Sequence, residues 1–345
     1  MSLRPTKLKD FIGQEHIKDI LRISIEAAKL RDEALDHVLL TGPAGMGKTT
    51  LAFIIAEEMG AECKVINGAT IEGVFEIESI LRNINPLDVI FIDEIHRLPR
   101  QVEEFLYHPM EDSYMTEKVE VVVPSKKYPY LRVIEEDFPE LLWQFPNIER
   151  DKWERTGEYA LEKVEMPPFT LIGATTQPGD LSKPLRDRFQ LSIPQLRHYD
   201  IDELILIAKQ KCTMLDISIT DSAAKNLAKR SRGVARVCVN YIRRCRDLAN
   251  IRGLDSINDD VVNVIFKTLS IDEQGLGYED REYLRVLANG EPRGVMALSY
   301  ALSKDKNTIE NVIEPYLLRL NLIERTPRGR VITQDGKKYI KNQGW

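Results

Sequence analysis

Long hydrophobic runs are missing from this chain: no window in its 345 residues approaches the length of a membrane span. The first ten residues, Met1 to Asp10, hold no apolar leader core. Low-complexity tracts are absent as well, and a composition of 30% charged and 43% hydrophobic residues predicts a chain folded throughout. Cysteine is scarce. Cys63, Cys212, Cys238 and Cys245 show neither Cys-x-x-Cys nor finger-like Cys/His spacing, which predicts buried free thiols and excludes a zinc finger or a disulfide framework. These absences together predict a cytoplasmic, cytosolic or nuclear protein without membrane contact. An excess of positive charge is lacking too, because the net charge of −6 argues against a surface that is basic throughout. The average hides a local basic stretch between Arg319 and Lys341, with seven basic residues against two acidic ones. Such a stretch is either a footprint for phosphates or a solvated charged face.

What is present begins with Val38-Leu39-Leu40-Thr41, an apolar strand that runs into Gly42-x-x-x-x-Gly47-Lys48-Thr49 and then a helical pattern. That is the context a phosphate-binding P-loop requires. Gly42, Gly45 and Gly47 let the backbone curl with its N–H groups inward at the positive end of the next helix. The stretch Gly42, Pro43, Ala44, Gly45, Met46, Gly47, Lys48, Thr49 and Thr50 is therefore the candidate cradle for a nucleoside triphosphate. Lys48 would reach the β- and γ-phosphates, and the Thr49 hydroxyl would be a Mg²⁺ ligand.

A second motif follows. Val89-Ile90-Phe91-Ile92 is a continuous apolar run, as a parallel strand buried on both faces requires, and it ends in Asp93-Glu94. It reads as a Walker B strand. Asp93 would hold Mg²⁺ through its water shell and Glu94 would polarise the attacking water. In isolation the two acids would equally suit the start of a helix. His96 has no second His or Cys at helical spacing, so it reads as a structural residue and not as a metal ligand or general base.

Apolar runs at Val38–Thr41, Cys63–Asn67, Val89–Asp93, Thr170–Ala174 and Leu191–Ile193 alternate with helical patterns, which predicts an open parallel α/β sheet in residues 1–195. From about Tyr199 to Leu269 the spacing is helical only, with N-cap residues at Asp200, Thr220 and Ser256–Asp259, so a small helical domain is expected over 196–270. The remainder, 271–345, carries three helical patterns. Two short extended segments follow, Leu322–Arg325 and Val331–Thr333, joined by Thr326-Pro327-Arg328-Gly329-Arg330. Three helices and a hairpin with a basic tip describe a winged helix, with Arg325, Arg328 and Arg330 as candidate DNA contacts.

Taken together, Leu3-Arg4-Pro5, Phe11-Ile12-Gly13-Gln14, the P-loop, Asp93-Glu94-Ile95-His96-Arg97-Leu98, Met110-Glu111-Asp112, Gly173-Ala174-Thr175-Thr176 and Thr326-Pro327-Arg328-Gly329-Arg330 resemble the RuvB family. These are bacterial AAA+ motors for Holliday-junction branch migration. The resemblance covers nearly the whole chain and implies an AAA+ P-loop domain, a helical lid and a C-terminal winged helix. It also implies ATP and Mg²⁺ as cofactors, duplex or four-way junction DNA as partner, and a homo-oligomeric, hexameric ring.

By the same resemblance Thr176 matches sensor 1, and Arg188 matches an arginine finger that would act in trans on the neighbouring subunit's nucleotide. Arg236 matches sensor 2 on the lid. Leu3, Arg4, Pro5 and Ile12 match the segment that packs on adenine, although their apolar members would equally suit a core. A RuvA-like adaptor is implied as well.

The chain departs from the family between Met115 and Phe169, where a short hairpin is expected and 53 residues, 116–168, intervene. They include Tyr128, Tyr130, Phe138, Trp143, Phe145, Trp153 and Tyr159, more aromatics than a disordered linker carries. Val119–Val123 reads as a strand and Tyr128–Ile134 as a candidate partner. Whether this elaborated hairpin meets RuvA, another adaptor, the next protomer or its own domain stays open. The rival reading of the whole chain is an AAA+ protein remodeller or loader whose C-terminal module docks protein and never touches DNA.

Overall fold

Apolar runs bounded by turn residues become strands, and segments with apolar residues three and four apart become helices. The computed structural model describes residues 3–124, 153–191 and 193–342. The first elements are α1 (Glu15–Arg31), β1 (Val38–Thr41), α2 (Lys48–Met59), β2 (Cys63–Asn67), α3 (Val74–Arg82) and β3 (Val89–Asp93). Next come α4 (Arg100–Phe105), α5 (Tyr107–Asp112), β4 (Tyr114–Pro124), β5 (Trp153–Glu165), β6 (Thr170–Thr175) and α6 (Lys183–Asp187). After these run α7 (Ile201–Met214), β7 (Ser218–Ile219), α8 (Asp221–Arg230), α9 (Ala235–Ile251), β8 (Ser256–Ile257) and α10 (Asp259–Thr268). The last are α11 (Tyr278–Val286), α12 (Val295–Leu302), α13 (Glu314–Arg319), β9 (Ile323–Thr326), β10 (Gly329–Ile332) and α14 (Gln334–Asn342).

Contacts group these elements into two units, Ile20–Thr41 with Ile55–Ile193, and Met1–Asp19 with Gly42–Ile54 and Pro194–Trp345. The first 195 residues thus contribute to both. The first unit is built on a parallel sheet in the order β1-β6-β3-β2. The central strands β3 and β6 are buried on both faces, as their unbroken apolar runs require. Ile77, Leu81, Leu98, Val102 and Leu106 from α3 and the segments around α4 close one face over Ile90, Ile92 and Leu171. Of the fifth run expected, Leu191–Ile193, Leu191 makes a parallel bridge to Val38, and residue 192 lies outside the described residues. Because β1, β6 and β3 are parallel, their C-terminal ends, Thr41, Thr175 and Asp93, line one edge of the sheet. Ligands in such sheets sit at that edge.

β4 and β5 form a long antiparallel hairpin with a register shift between Glu120 and Val122. The strand expected at Val119–Val123 lies in β4. The candidate partner at Tyr128–Ile134 falls outside the described residues, and the strand that pairs with β4 is β5.

In the second unit, the N-terminal segment and the P-loop rest on the start of the lid. Gln14 Nε2 donates to the Arg197 carbonyl at 2.7 Å and the Arg197 N–H returns to Gln14 Oε1 at 3.2 Å. The lid helices begin at the caps expected: Asp200 accepts from the Glu203 N–H, Thr220 from Ala223 and Asn258 from Val261. The lid is not purely helical, because β7 and β8 pair in parallel over two residues each. Cys212, Cys238 and Cys245 are buried and free, and Cys63 is half-buried and free.

In the winged helix, α11, α12, α13 and α14 close on Tyr283, Leu284, Leu298, Leu317 and Ile332. A π-helical turn, Ile309–Ile313, precedes α13. The strands β9 and β10 reach further toward each other than the sequence pattern suggests, and pair Arg330 with Arg325, so the turn is Pro327–Arg328 alone.

Candidate functional site

The phosphate cradle follows from where the chain turns. β1 stops at Thr41, α2 starts at Lys48, and the first N–H groups of a helix have no intrahelical acceptor. Between them Gly45 and Gly47 take φ of +80° and +105°, a region that side-chain-bearing residues avoid. Space forbids a side chain there as well. A Cβ on Gly45 would stand 2.7 Å from Val234 Cγ1 and 3.1 Å from Arg236 Cβ, and one on Gly47 would stand 2.8 Å from the Phe11 ring. Hence the first turn of α9 abuts the loop and carries the exposed Arg236 to it.

Lys48 is nearly buried, at 6% exposure, and its ammonium donates to the carbonyls of Gly42 at 2.8 Å and Pro43 at 3.1 Å. A buried cation needs such acceptors, and a triphosphate would supply better ones. Tyr199 Oη donates to the Met46 carbonyl at 2.8 Å, tying the loop to the residue before α7. Leu3 and Pro5 are buried, Ile12 is half-buried, and the Arg4 guanidinium lies 5.0 Å over the Phe53 ring of α2. Pro43, Thr49 and Thr50 are half-buried and Ala44 is exposed. These residues suit a nucleotide: glycines where a Cβ cannot fit, N–H groups at a helix start, one cation and two hydroxyls.

The first unit holds the second constellation. Asp93 ends β3, and its Oδ1 accepts the Glu94 N–H at 3.1 Å. Glu94 turns the chain sharply, with left-handed φ and ψ of 50° and 46°. Its carboxylate meets the end of β6, where Thr176 Oγ1 donates to Glu94 Oε2 at 3.3 Å. His96 Nδ1 lies 3.3 Å from that same oxygen and 2.9 Å from Thr175 Oγ1. The sequence reading took His96 as a structural residue and not a metal ligand or general base; its contact with Thr175, 79 residues away, is one that spacing along the chain does not show. Among the described residues no group of three or more His, Cys, Asp or Glu side chains could hold a metal alone. An ion there would also need hydroxyl, water or phosphate oxygens, which is the donor set expected of Mg²⁺.

Arg188 follows α6, and its guanidinium is held within its own unit. Nη2 pairs with Glu111 Oε2 at 2.6 Å, Nη1 donates to the Pro184 carbonyl at 2.9 Å, and the group stacks 4.4 Å over the Tyr107 ring. Glu111 was quoted from sequence only as part of Met110-Glu111-Asp112, with no role, and neither Tyr107 nor Tyr199 was given one.

At the C-terminus the three arginines separate. Arg330 lies in β10, only 14% exposed; its Nε donates to Glu314 Oε1 at 2.8 Å and its Nη2 to Glu310 Oε1 at 2.7 Å. Arg325 Nε donates to the other Glu314 oxygen at 2.7 Å. Glu314 is wholly buried and also accepts from Tyr283 Oη at 2.8 Å. This burial pushes the Tyr283 phenol up, as does the neighbouring carboxylate. Arg330 is thus committed to the interior, and only Arg328, exposed at the turn, projects from the hairpin tip.

Three family models match in order. They are the Holliday junction DNA helicase RuvB P-loop domain over 3–128 and 155–195, the RuvB AAA lid domain over 199–272, and the RuvB C-terminal winged helix domain over 273–341. The first match runs into the 116–168 segment from both sides, so the unmatched stretch, 129–154, is shorter than the departure expected from sequence. The chain is 42% identical over 344 residues to the Holliday junction branch migration complex subunit RuvB of Oenococcus oeni, covering 99% of this chain and 91% of that one. Against the protein of the same name from Lactobacillus gasseri the identity is again 42%, with the same coverage. The solved RuvB Holliday junction branch migration motor of Thermotoga maritima superposes with a TM-score of 0.77, at 38% identity and 98% coverage of both chains.

Proposed function

The chain belongs to the RuvB family, and from that premise we propose how its residues divide the work of an ATP-driven branch-migration motor. It is an AAA+ ATPase that acts on Holliday-junction DNA within a branch-migration complex. One observation carries the reading: the winged helix over 273–341 matches the RuvB model just as the ATPase and lid parts do, whereas a remodeller that docks protein through an unrelated C-terminal module would share only the latter. We read the domains as 1–195, 196–270 and 271–345.

The glycine-rich loop and Lys48 hold the triphosphate, Leu3, Arg4, Pro5 and Ile12 hold the base, and Arg236 reaches the nucleotide from the lid. Thr49 and Asp93 would hold Mg²⁺, which would supply neutralisation of the phosphate charge. Glu94 takes a proton from the attacking water and Thr176 orients that carboxylate. Arg188 leaves Glu111 when a second copy docks and stabilises charge on that copy's nucleotide. Subunits therefore work as a ring, which we take to be a hexamer, in the cytoplasm. The hairpin β4–β5 is the candidate dock for an adaptor of the RuvA type.

The test is ATP turnover and junction migration with and without four-way DNA at low and high salt. Stimulation that fades steeply as salt rises is expected, because phosphate contacts release counterions. ATPase activity indifferent to DNA at both salts would move the assignment to the protein remodeller.

A further inference from the structure

Glu94 needs to be aimed. Its side chain has three rotatable bonds, and its backbone is left-handed at φ 50°. A general base acts only within hydrogen-bond reach of the proton it takes, and a displacement of about 1 Å costs on the order of 10²-fold in rate. Something must therefore fix the carboxylate, and two groups lie against one of its oxygens: Thr176 Oγ1 and His96 Nδ1 are each 3.3 Å from Oε2.

The second contact is the informative one. Thr175 Oγ1 accepts the Gln177 N–H at 2.9 Å and lies 2.9 Å from His96 Nδ1, while the imidazole is 9% exposed. With its proton on Nδ1 the ring donates to Thr175 Oγ1 and keeps that N–H dipole 3.3 Å from Glu94 Oε2. On Nε2, the same nitrogen accepts from the Thr175 hydroxyl and offers Glu94 nothing. The end of β6 thus reaches the carboxylate by two routes, directly through Thr176 and through Thr175 and His96. The Thr176 hydrogen bond is long at 3.3 Å and the His96 contact is an electrostatic one at the same distance, so they hold an aim without locking it.

We propose that His96 is a positioning residue for hydrolysis, its Nδ1 setting the aim of the Glu94 carboxylate in concert with the β6 hydroxyls. The proposal rests on the reading of Glu94 as the base.

The experiment uses the full chain with Mg-ATP and saturating four-way DNA, and measures kcat, KM, equilibrium affinity for a fluorescent ATP analogue and thermal midpoint. The variants are H96N, whose amide occupies the place of Nδ1, H96Q, whose amide occupies the place of Nε2, and H96F, which keeps a ring and loses both nitrogens. H96Q and H96F are expected to lower kcat by about 10- to 100-fold with nucleotide affinity and midpoint near those of the unaltered chain. H96N is expected to recover most of that loss. In the E94Q background H96Q should cost nothing more. Equal activity of H96N and H96Q, or a loss of kcat that follows a loss of thermal midpoint in all three, overturns the proposal in favour of packing. Should H96F not fold, the two amide variants decide alone. If E94Q itself keeps near-normal turnover, the reading of Glu94 fails; if E94Q is inactive and the His96 variants are normal, only this inference fails.

Discussion

Changing Arg330 to Ala should unfold the winged helix more than it weakens DNA contact. Glu314 has no exposure and is neutralised by Arg330, 14% exposed, and Arg325, about half exposed. Removing one partner of a buried pair costs about 3–5 kcal/mol, because a charge is left inside without compensation. Arg325 and Tyr283 still hold Glu314, so the lower end, about 3 kcal/mol, applies. In a domain of this size about 1 kcal/mol moves the melting temperature by about 4–8 °C, so the winged-helix transition should fall by about 12–24 °C. The shift can be followed in the full-length chain by hydrogen exchange at the amides of α11, α13 and β10 as temperature rises.

Arg328→Ala, at the exposed turn, should leave that transition within about 0.5 kcal/mol. It should weaken DNA binding across sequences and flatten the salt dependence by about one phosphate contact. A double change of Arg328 and Arg330 would confound the two effects. The reasoning is refuted if R330A melts like the unaltered chain while its DNA affinity drops; the buried pair would then be dispensable and Arg330 a phosphate contact.

Other consequences can be checked separately. Arg188→Ala subunits should be inactive alone but recover some ATPase when mixed with Lys48→Ala subunits, since the mixture pairs an intact finger with an intact P-loop; verified mixed rings without recovery would place Arg188's function elsewhere. Tyr199→Phe removes the donor to the buried Met46 carbonyl and should raise KM for ATP by about fivefold, the equivalent of about 1 kcal/mol; an unchanged KM would show the loop to be held without it. His37 is held neutral, with Nδ1 accepting the Leu171 N–H at 2.9 Å and Nε2 3.1 Å from the Met110 carbonyl, and burial lowers its pKa from 6.5 to about 4. Between those values the unfolded chain binds a proton that the folded chain refuses, so stability should fall by about 3 kcal/mol as pH drops from 6.5 to 4. The midpoint of urea unfolding measured across that range should lose this slope in His37→Asn, and a slope that persists would acquit His37.

The glycine-rich turn and the doubly buried strand ending in Asp93-Glu94 were legible because their geometry is local. Glycines at positions of positive φ, a lysine at a helix start and two carboxylates after a doubly buried strand all act within a few residues of one another, and spacing along the chain is spacing in space. The same holds for the lid caps at Asp200, Thr220 and Asn258, each bonded three residues on.

Charge was read correctly as composition and less well as chemistry. Seven basic residues between Arg319 and Lys341 can be counted, but Arg330 and Arg325 spend their charge on Glu314, and only the packing of β10 against α13 decides that. Likewise Arg188 finds Glu111 from 77 positions away, and His96 meets Thr175 from 79. By itself the sequence determined the nucleotide chemistry, the order of the three parts and the residues available to each. Tertiary structure alone decided which arginine pairs with Glu314 and which threonine meets His96, because partners brought together by sheet order and helix packing carry no mark of each other along the chain.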